Sequence, residues 1–492
     1  MKKKSSYKIH SVKYNFVMNA ILKASQYIFP LITLPYITRT LGSTNNGKVA
    51  FAASVISYFS MFAQLGIPSY AVRECAKCRD DQEKLTKTVQ EILIINCISM
   101  FFSYIVFFTC IAVIGKFKEE AGLLLINSSL LFLNMLGMEW LYQAVEMYQY
   151  ITFRNIAFKL ISVILMFVLV HNPSDYALYA ALVVFSSGGS YILNFFYSKR
   201  VLLNKTYYGQ YEIKKHIKPI FTFFALSVTV SMYTSMDTVM LGFLSDDVQV
   251  AYYSLGTKIK IVLATSISAL GPVLLPRITY CLNNGQAEKL KGYIYKSIHF
   301  VILTAIPVNI YFIAMSPCVI DILGGADYLP AISCMRIITL AIIPIGIGGV
   351  ACSQILTPLG KERLTMYSTI YGAVANFLAN IIFINIMGAA GAALATVIAE
   401  SLIACIQIHY AWSEVVEAFQ KLPYVTFAVS NIIAVIALML FLHFIIINNS
   451  LGNMIVSCVL FFGTYFIMLL VFRDELIVQY GLKYLRKIVG RR

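Results

Sequence analysis

Charge is scarce in this sequence. Asp, Glu, Lys and Arg make up 13% of its 492 residues, where a soluble globular chain carries about 25%. Nor is there a sustained apolar–polar alternation of period two, which excludes a membrane barrel built from strands. No aqueous domain interrupts the apolar runs, and the longest polar connection extends only over residues 198–218. A membrane glycosyltransferase, polymerase or ligase needs a large loop or cytosolic domain with paired carboxylates or a nucleotide site. The sequence has no such segment.

What remains is apolar. Hydrophobic residues account for 59% of the chain, and the mean hydropathy is +0.75. Runs of spanning length fall near 14–38, 48–71, 92–114, 121–141, 156–171, 176–197, 219–244, 250–275, 296–316, 331–356, 365–386, 389–410, 423–447 and 453–472. This predicts an all-α polytopic membrane protein with about fourteen spans, since a helix satisfies its own backbone within one segment. If the N-terminus is cytoplasmic, the inner segments hold 31 of the 39 Lys and Arg, counting residues 143–159 as an inner segment, and the outer turns hold only Arg39, Lys48, Lys116 and Lys118. That bias predicts both termini in the cytoplasm.

The net charge of +16 is spread over many short inner loops, so it reads as topology and contact with anionic lipid, and no nucleic-acid partner is expected. The apolar run from Tyr14 is long, is interrupted by Lys23 and lacks a small-residue cleavage site, so it reads as the first span and not as a signal peptide. Six of the ten cysteines (Cys97, Cys110, Cys334, Cys352, Cys405 and Cys458) sit in spans and read as packing residues. Cys75 and Cys78 form one CxxC without a second ligand pair, so neither a metal nor a cofactor is expected. "IGIGGV" at 345–350 lacks the strand and crossover of a dinucleotide site.

The connection "SKRVLLNKTYYGQYEIKKHIK" divides six spans from the next six and reads as a hinge. The expected division is a first lobe over 1–205, a second over 206–415, and two added spans with a basic tail over 416–492. Similar outer turns, "ITRTLGSTNNGKVAFAASVISYF" and "TVMLGFLSDDVQVAYYSLGTKI", support two like-oriented copies. Those segments, with "GMEWLYQAVEMYQYITFRN" and "NIMGAAGAALATVIAE", resemble the signatures of the oligosaccharide and polysaccharide flippases of the multidrug/oligosaccharidyl-lipid/polysaccharide exporter superfamily. The resemblance covers nearly the whole chain. It implies a bacterial plasma-membrane protein that moves an undecaprenyl-diphosphate-linked oligosaccharide to the outer leaflet, with membrane lipid and polysaccharide-assembly proteins such as a polymerase as partners. Lys48 departs from the pattern, which has an apolar or aromatic residue there.

Ionisable groups inside spans are costly and are functional by default. Here they are Lys23, Asp237, Lys258, Lys260, Arg336 and Glu400, with Glu139 near an inner end. Asp237 and Lys258 lie at similar depth on adjacent spans. They either neutralise each other or form a site in which the acid holds a substrate-binding lysine. Lys258 and Lys260 are about 200° apart on a helix and cannot share a face; Lys258 matches the family motif. The expected diphosphate-binding set is Lys23, Lys258, Lys260 and Arg39, with Asp237 and Glu400 as positioning or ion-coupling acids. Tyr233, Tyr252 and Tyr253 are candidates for stacking on sugars, although packing and interfacial roles suit most aromatics here. The rival reading within the superfamily is a cation-coupled multidrug exporter; a membrane scaffold would not require these charges.

Overall fold

The computed structural model describes residues 11–478 apart from positions 208, 446 and 448, with the side chains at 12, 13, 226 and 229–233 also outside the description. Every regular element among the described residues is helical, as the hydrocarbon constraint requires. Twelve helical runs among them have the length and hydropathy to cross a membrane. The first, Tyr14–Lys77, is 64 residues long and contains both of the first two expected spans. The expected seventh span lies on a separate helix, Lys214–Leu244. The chain is a multi-pass, all-α membrane protein.

The chain divides into two compact units, 1–251 and 252–492. In unit 1 the helices that carry the argument are α1 (Val12–Gln64), α2 (Ile67–Lys77), α3 (Gln82–Val113), α4 (Ala121–Gly137), α5 (Tyr148–Leu169), α6 (Tyr191–Val201) and α7 (Lys214–Leu244). Gly42 breaks α1 with φ 73° and ψ 174°, a left-handed backbone that glycine adopts without a Cβ penalty. Beyond that kink, Phe51 is fully buried and meets Phe243 of α7 edge-on at 5.6 Å. Ser57 donates to Ser235 at 3.0 Å about two turns deeper. These contacts place α7 in unit 1, although it follows the long basic connection.

Helices α1 and α5 run parallel and in register. The Thr152 hydroxyl donates to Met18 O, Lys159 Nζ donates to Ser25 Oγ, and the Tyr36 hydroxyl donates to Val170 O; each pair is separated by 134 residues. A constant offset over 18 residues of both helices fixes depth on one helix against depth on the other.

Unit 2 contains most of α8 (Asp247–Ile267), then α9 (Ala287–Ala314), α10 (Ala331–Thr339), α11 (Glu362–Met387), α12 (Ala389–Tyr410), α13 (Trp412–Gln420), α14 (Tyr424–Phe444) and α15 (Ser450–Val471). The Tyr311 hydroxyl donates to Met454 O at 2.7 Å and that of Tyr465 to Leu303 O at 3.0 Å, which fastens α15 to α9. Outside the spans, Glu417 on α13 accepts from Lys421 at 2.6 Å and pairs with Lys291 on α9 at 2.8 Å. Its hydrogen bonds from Lys291 and Lys421 hold its carboxyl down at about 2. A depressed carboxyl keeps its contribution above its unfolded value and loses it only as pH falls through about 2.

The tightest helix pair is the α11–α12 hairpin. Its residues "GAAGAALA" keep Ala389, Ala392, Ala393 and Ala395 at 2% exposure or less, the small-residue packing that lets membrane helices approach closely. A Cβ on Gly391 would stand 1.9 Å from the Phe383 carbonyl oxygen, a backbone atom that cannot rotate away. Gly391→Ala is therefore expected to force the hairpin apart at a cost of about 1–3 kcal/mol. Folded yield in membranes, measured by fluorescence-detected gel filtration, should fall, whereas Gly292→Ala, where nothing lies within 4 Å, should leave it unchanged.

Candidate functional site

Most charges of unit 1 are answered by partners inside the unit. Lys48 lies 3.5 Å from the buried Glu120, which explains why the turn tolerates a lysine where an apolar residue is expected. Lys116 pairs with Asp247 at 2.9 Å. Glu139 lies 3.2 Å from Arg154, whose guanidinium also donates to Asn155 at 3.0 Å and to Asn194, between the rings of Tyr150 and Tyr191. Arg154 side-chain exposure is 3%, so this group is a fastener of α5 to its neighbours and is closed to a ligand.

The mid-span lysines behave differently. Lys23 on α1 is exposed, so it faces away from the packed interior of its own unit. The in-register pairing with α5 brings a second lysine to the same depth: Lys159 donates to Ser25 at 3.2 Å, two residues from Lys23, and lies 6.0 Å from the Phe29 ring centre. The sequence reading counted Lys159 with an inner loop segment; it stands eleven residues into α5, about 16 Å along the helix. Residues 23 and 25 point about 200° apart, so the two lysines occupy opposite sides of α1. Arg39 is also exposed, three residues before the Gly42 kink. Asp237 on α7 is 5% exposed and lies in unit 1.

In unit 2, Lys258 stands eleven residues into α8 and is half-buried, as is Lys260. No carboxylate of unit 2 lies within ion-pair distance of Lys258 among the described residues. Gly256 brings α8 close to α10, where a Cβ would touch Ile338 and Cys334 at 3.4–3.5 Å. The Tyr253 hydroxyl is 2.9 Å from Thr396 Oγ1 on α12, one turn before the half-buried Glu400. This bond bridges the helix of Lys258 to the helix of Glu400. Arg336 on α10 donates to Ser316 at 2.8 Å, an anchoring contact.

The structure therefore puts Asp237 and Lys258 in different units and leaves their pairing as a proposal. Tyr252 and Tyr253 are 7% and 3% exposed with hydroxyls turned inward, to Asp327 O and Thr396, which makes them packing residues and not sugar platforms. The Tyr233 side chain lies outside the described residues.

Comparison with known proteins decides the family. The model of the polysaccharide biosynthesis protein family matches residues 12–281, more than half of the chain. The chain belongs to this family. A second model, MatE, matches residues 223–382. A Shigella dysenteriae protein named for O-antigen transport is 23% identical over 80% of this chain and 98% of its own length. An Escherichia coli K12 protein named for the same role is 22% identical over 58% of this chain and 68% of its own. The solved structure of the lipid II flippase MurJ, inward closed, superposes with a TM-score of 0.75 at 16% identity, covering 94% of this chain and all of that one. That likeness shows a shared fold.

Lys159 tests whether depth alone makes a lysine functional. If it serves transport, Lys159→Met should keep folded yield within twofold while cutting transport more than tenfold, and Lys159→Arg should recover a substantial part. Equal losses of yield and transport would make it a fastener like Arg154.

Proposed function

We propose that this chain is a flippase for lipid-linked oligosaccharides, which carries an undecaprenyl-diphosphate-linked repeat unit from the inner to the outer leaflet of a bacterial plasma membrane. The observation that carries this reading is the presence of lysines at mid-span depth in both units of a polysaccharide biosynthesis family member: Lys23 and Lys159 in unit 1, Lys258 and Lys260 in unit 2. An anionic diphosphate and its sugars cannot enter hydrocarbon unaided, so a hydrated basic cavity must receive them while the polyprenyl chain stays in lipid. Relatives named for O-antigen transport, and the fold shared with a lipid II flippase, support the same substrate class.

In this reading Lys258 and Lys23 receive the diphosphate, with Lys260 and Arg39 as further cations. Asp237 orients Lys258, Glu400 is a coupling acid, and the two lobes alternate around the substrate. A dianionic headgroup that binds both lobes biases them toward closure because it interacts differently with the open and closed states. The basic loops face the cytoplasm, so reporters fused at Lys205 and Asp246 should report inside and outside respectively. The reversed pattern would reject that orientation.

Reconstituted protein should move labelled lipid-linked oligosaccharide between leaflets without changing its mass. Lysine to glutamine at 258 should reduce flipping more than tenfold with insertion intact, Lys258→Arg should keep part of it, and Asp237→Asn should cost less than Lys258→Gln. A fully active Asp237→Asn/Lys258→Gln double variant would end the headgroup assignment. The MatE match over residues 223–382, which includes the acid Asp237 and ends before Glu400, favours one second reading, a cation-coupled exporter. That reading requires ion-driven movement of an organic cation in the same vesicles.

A further inference from the structure

Two buried clusters outside the transport site share one chemistry. In unit 1, His216 in the first turn of α7 is fully buried; its Nε2 lies 2.7 Å from Glu91 on α3 and its Nδ1 lies 2.5 Å from the Tyr70 hydroxyl on α2. Glu91, at 0% exposure, accepts as a carboxylate, so Nε2 presents its N–H to it, and the Tyr70 hydroxyl shares the hydrogen bond at Nδ1. The other carboxylate oxygen of Glu91 accepts the Glu212 backbone N–H at 2.8 Å and has Lys87 at 3.9 Å, while Lys215 stands 3.1 Å from the oxygen that meets His216. In unit 2, the buried His299 on α9 repeats the pattern, with Nε2 2.8 Å from Asp474 and Nδ1 3.1 Å from the Tyr295 hydroxyl. The other oxygen of Asp474 accepts the N–H groups of Leu476 and Ile477 at 3.1 and 3.2 Å.

In both clusters one carboxylate oxygen binds the imidazole; the other grips the backbone of a distant connecting segment in unit 1, whereas in unit 2 Asp474 belongs to the held segment itself and its second oxygen caps that segment's next turn. The segment gripped in unit 1 is the basic connection ahead of α7, and it is docked along α3. Leu203 N–H donates to Thr86 at 2.9 Å, Gln90 donates to Lys205 O at 2.7 Å, and the Tyr211 hydroxyl donates to Gln90 at 2.9 Å. Lys205 pairs with Glu83 at 2.6 Å. Residues 83, 86, 87, 90 and 91 share one face of α3 at helical spacing. The segment gripped in unit 2 is the stretch that leaves the last span, α15.

We propose that these phenol–imidazole–carboxylate relays are positioning latches. Tyr70–His216–Glu91 fastens the connection and the base of α7 to unit 1, and Tyr295–His299–Asp474 fastens the segment after α15 to unit 2. Because Asp237 sits on the same helix as His216, 21 residues and about 31 Å further along, the first latch sets the axial position of that carboxylate. The link to transport rests on the flippase reading, whereas the latch itself does not.

Backbone hydrogen–deuterium exchange of the purified full-length protein in nanodiscs tests the proposal. Glutamine and asparagine offer one acceptor oxygen where the carboxylates use two. Glu91→Gln should therefore raise exchange over residues 203–213 at least tenfold and leave 475–478 unchanged, and Asp474→Asn should do the reverse. Tyr70→Phe, which loses only a hydroxyl, should raise exchange over 203–213 severalfold and serves if Glu91→Gln does not fold. Unchanged exchange, or an equal rise in both segments, would overturn the latches, since general loss of stability loosens both together. Flipping in proteoliposomes should fall at least tenfold in Glu91→Gln with Glu91→Asp partly restoring it; an opened connection with intact flipping would overturn the positioning role. If the wild-type protein flips nothing, the proposed function fails and the exchange result still decides the latches.

Discussion

Every ionised group in an apolar span must find a partner or face water, and this constraint shapes the rest of the molecule. Unit 1 meets it repeatedly by pairing. Lys48 takes Glu120, Lys116 takes Asp247, and Arg154 takes Glu139. Such pairs are weak arguments for stability, because desolvation of two charges offsets much of their attraction. Their use is to specify which helices lie side by side. The Lys116–Asp247 pair, for example, ties the turn after α7 to unit 1.

Against that background the lysines that are not so paired carry the functional argument. Lys23 is exposed at a depth where the chain is otherwise apolar, and Lys258 has no carboxylate of its own unit within ion-pair distance among the described residues. Lys159 is intermediate, held by a neutral serine and near a ring face. A neutral hydroxyl partner leaves the positive charge uncompensated, whereas a carboxylate would cancel it. Charge left available at mid-depth is what a passing anion requires.

The features legible in the sequence are those set by one long-range number, the thickness of the hydrocarbon. Spans follow from runs of about 20 apolar residues, and the depth of Lys23 or Lys258 follows from counting along a helix. Features that depend on which helices meet were not legible. Lys159 sat at the edge of an apolar run and was read as loop; only the 134-residue offset between α1 and α5 shows it level with Ser25. The partners in the relays are 125 and 175 residues apart, and nothing local in "EIL" or "RDE" points to a histidine elsewhere. Lys48 departed from the family pattern for a reason visible only once Glu120 stands beside it.

The same physics explains why the connection ahead of α7 reads as a hinge and folds as a strap. Basic, tyrosine-rich and free of long apolar runs, it has few hydrophobic anchors, chiefly Val201, Leu202 and Tyr207, and ordering it costs about 1–2 kcal/mol of backbone entropy per residue. Its order comes instead from α3, whose first turns present polar side chains on one face to the connection's backbone groups. Hydrogen bonds at a wet helix end contribute only about 0.5–1.5 kcal/mol each, so a row of them barely offsets the entropy of the strap. The buried Glu91–His216 contact adds to them at one end, where a hydrogen bond to a charged group is stronger than one between neutral groups. A connection held in this way has one interior anchor among its surface contacts, and that anchor includes His216, on the helix that carries Asp237.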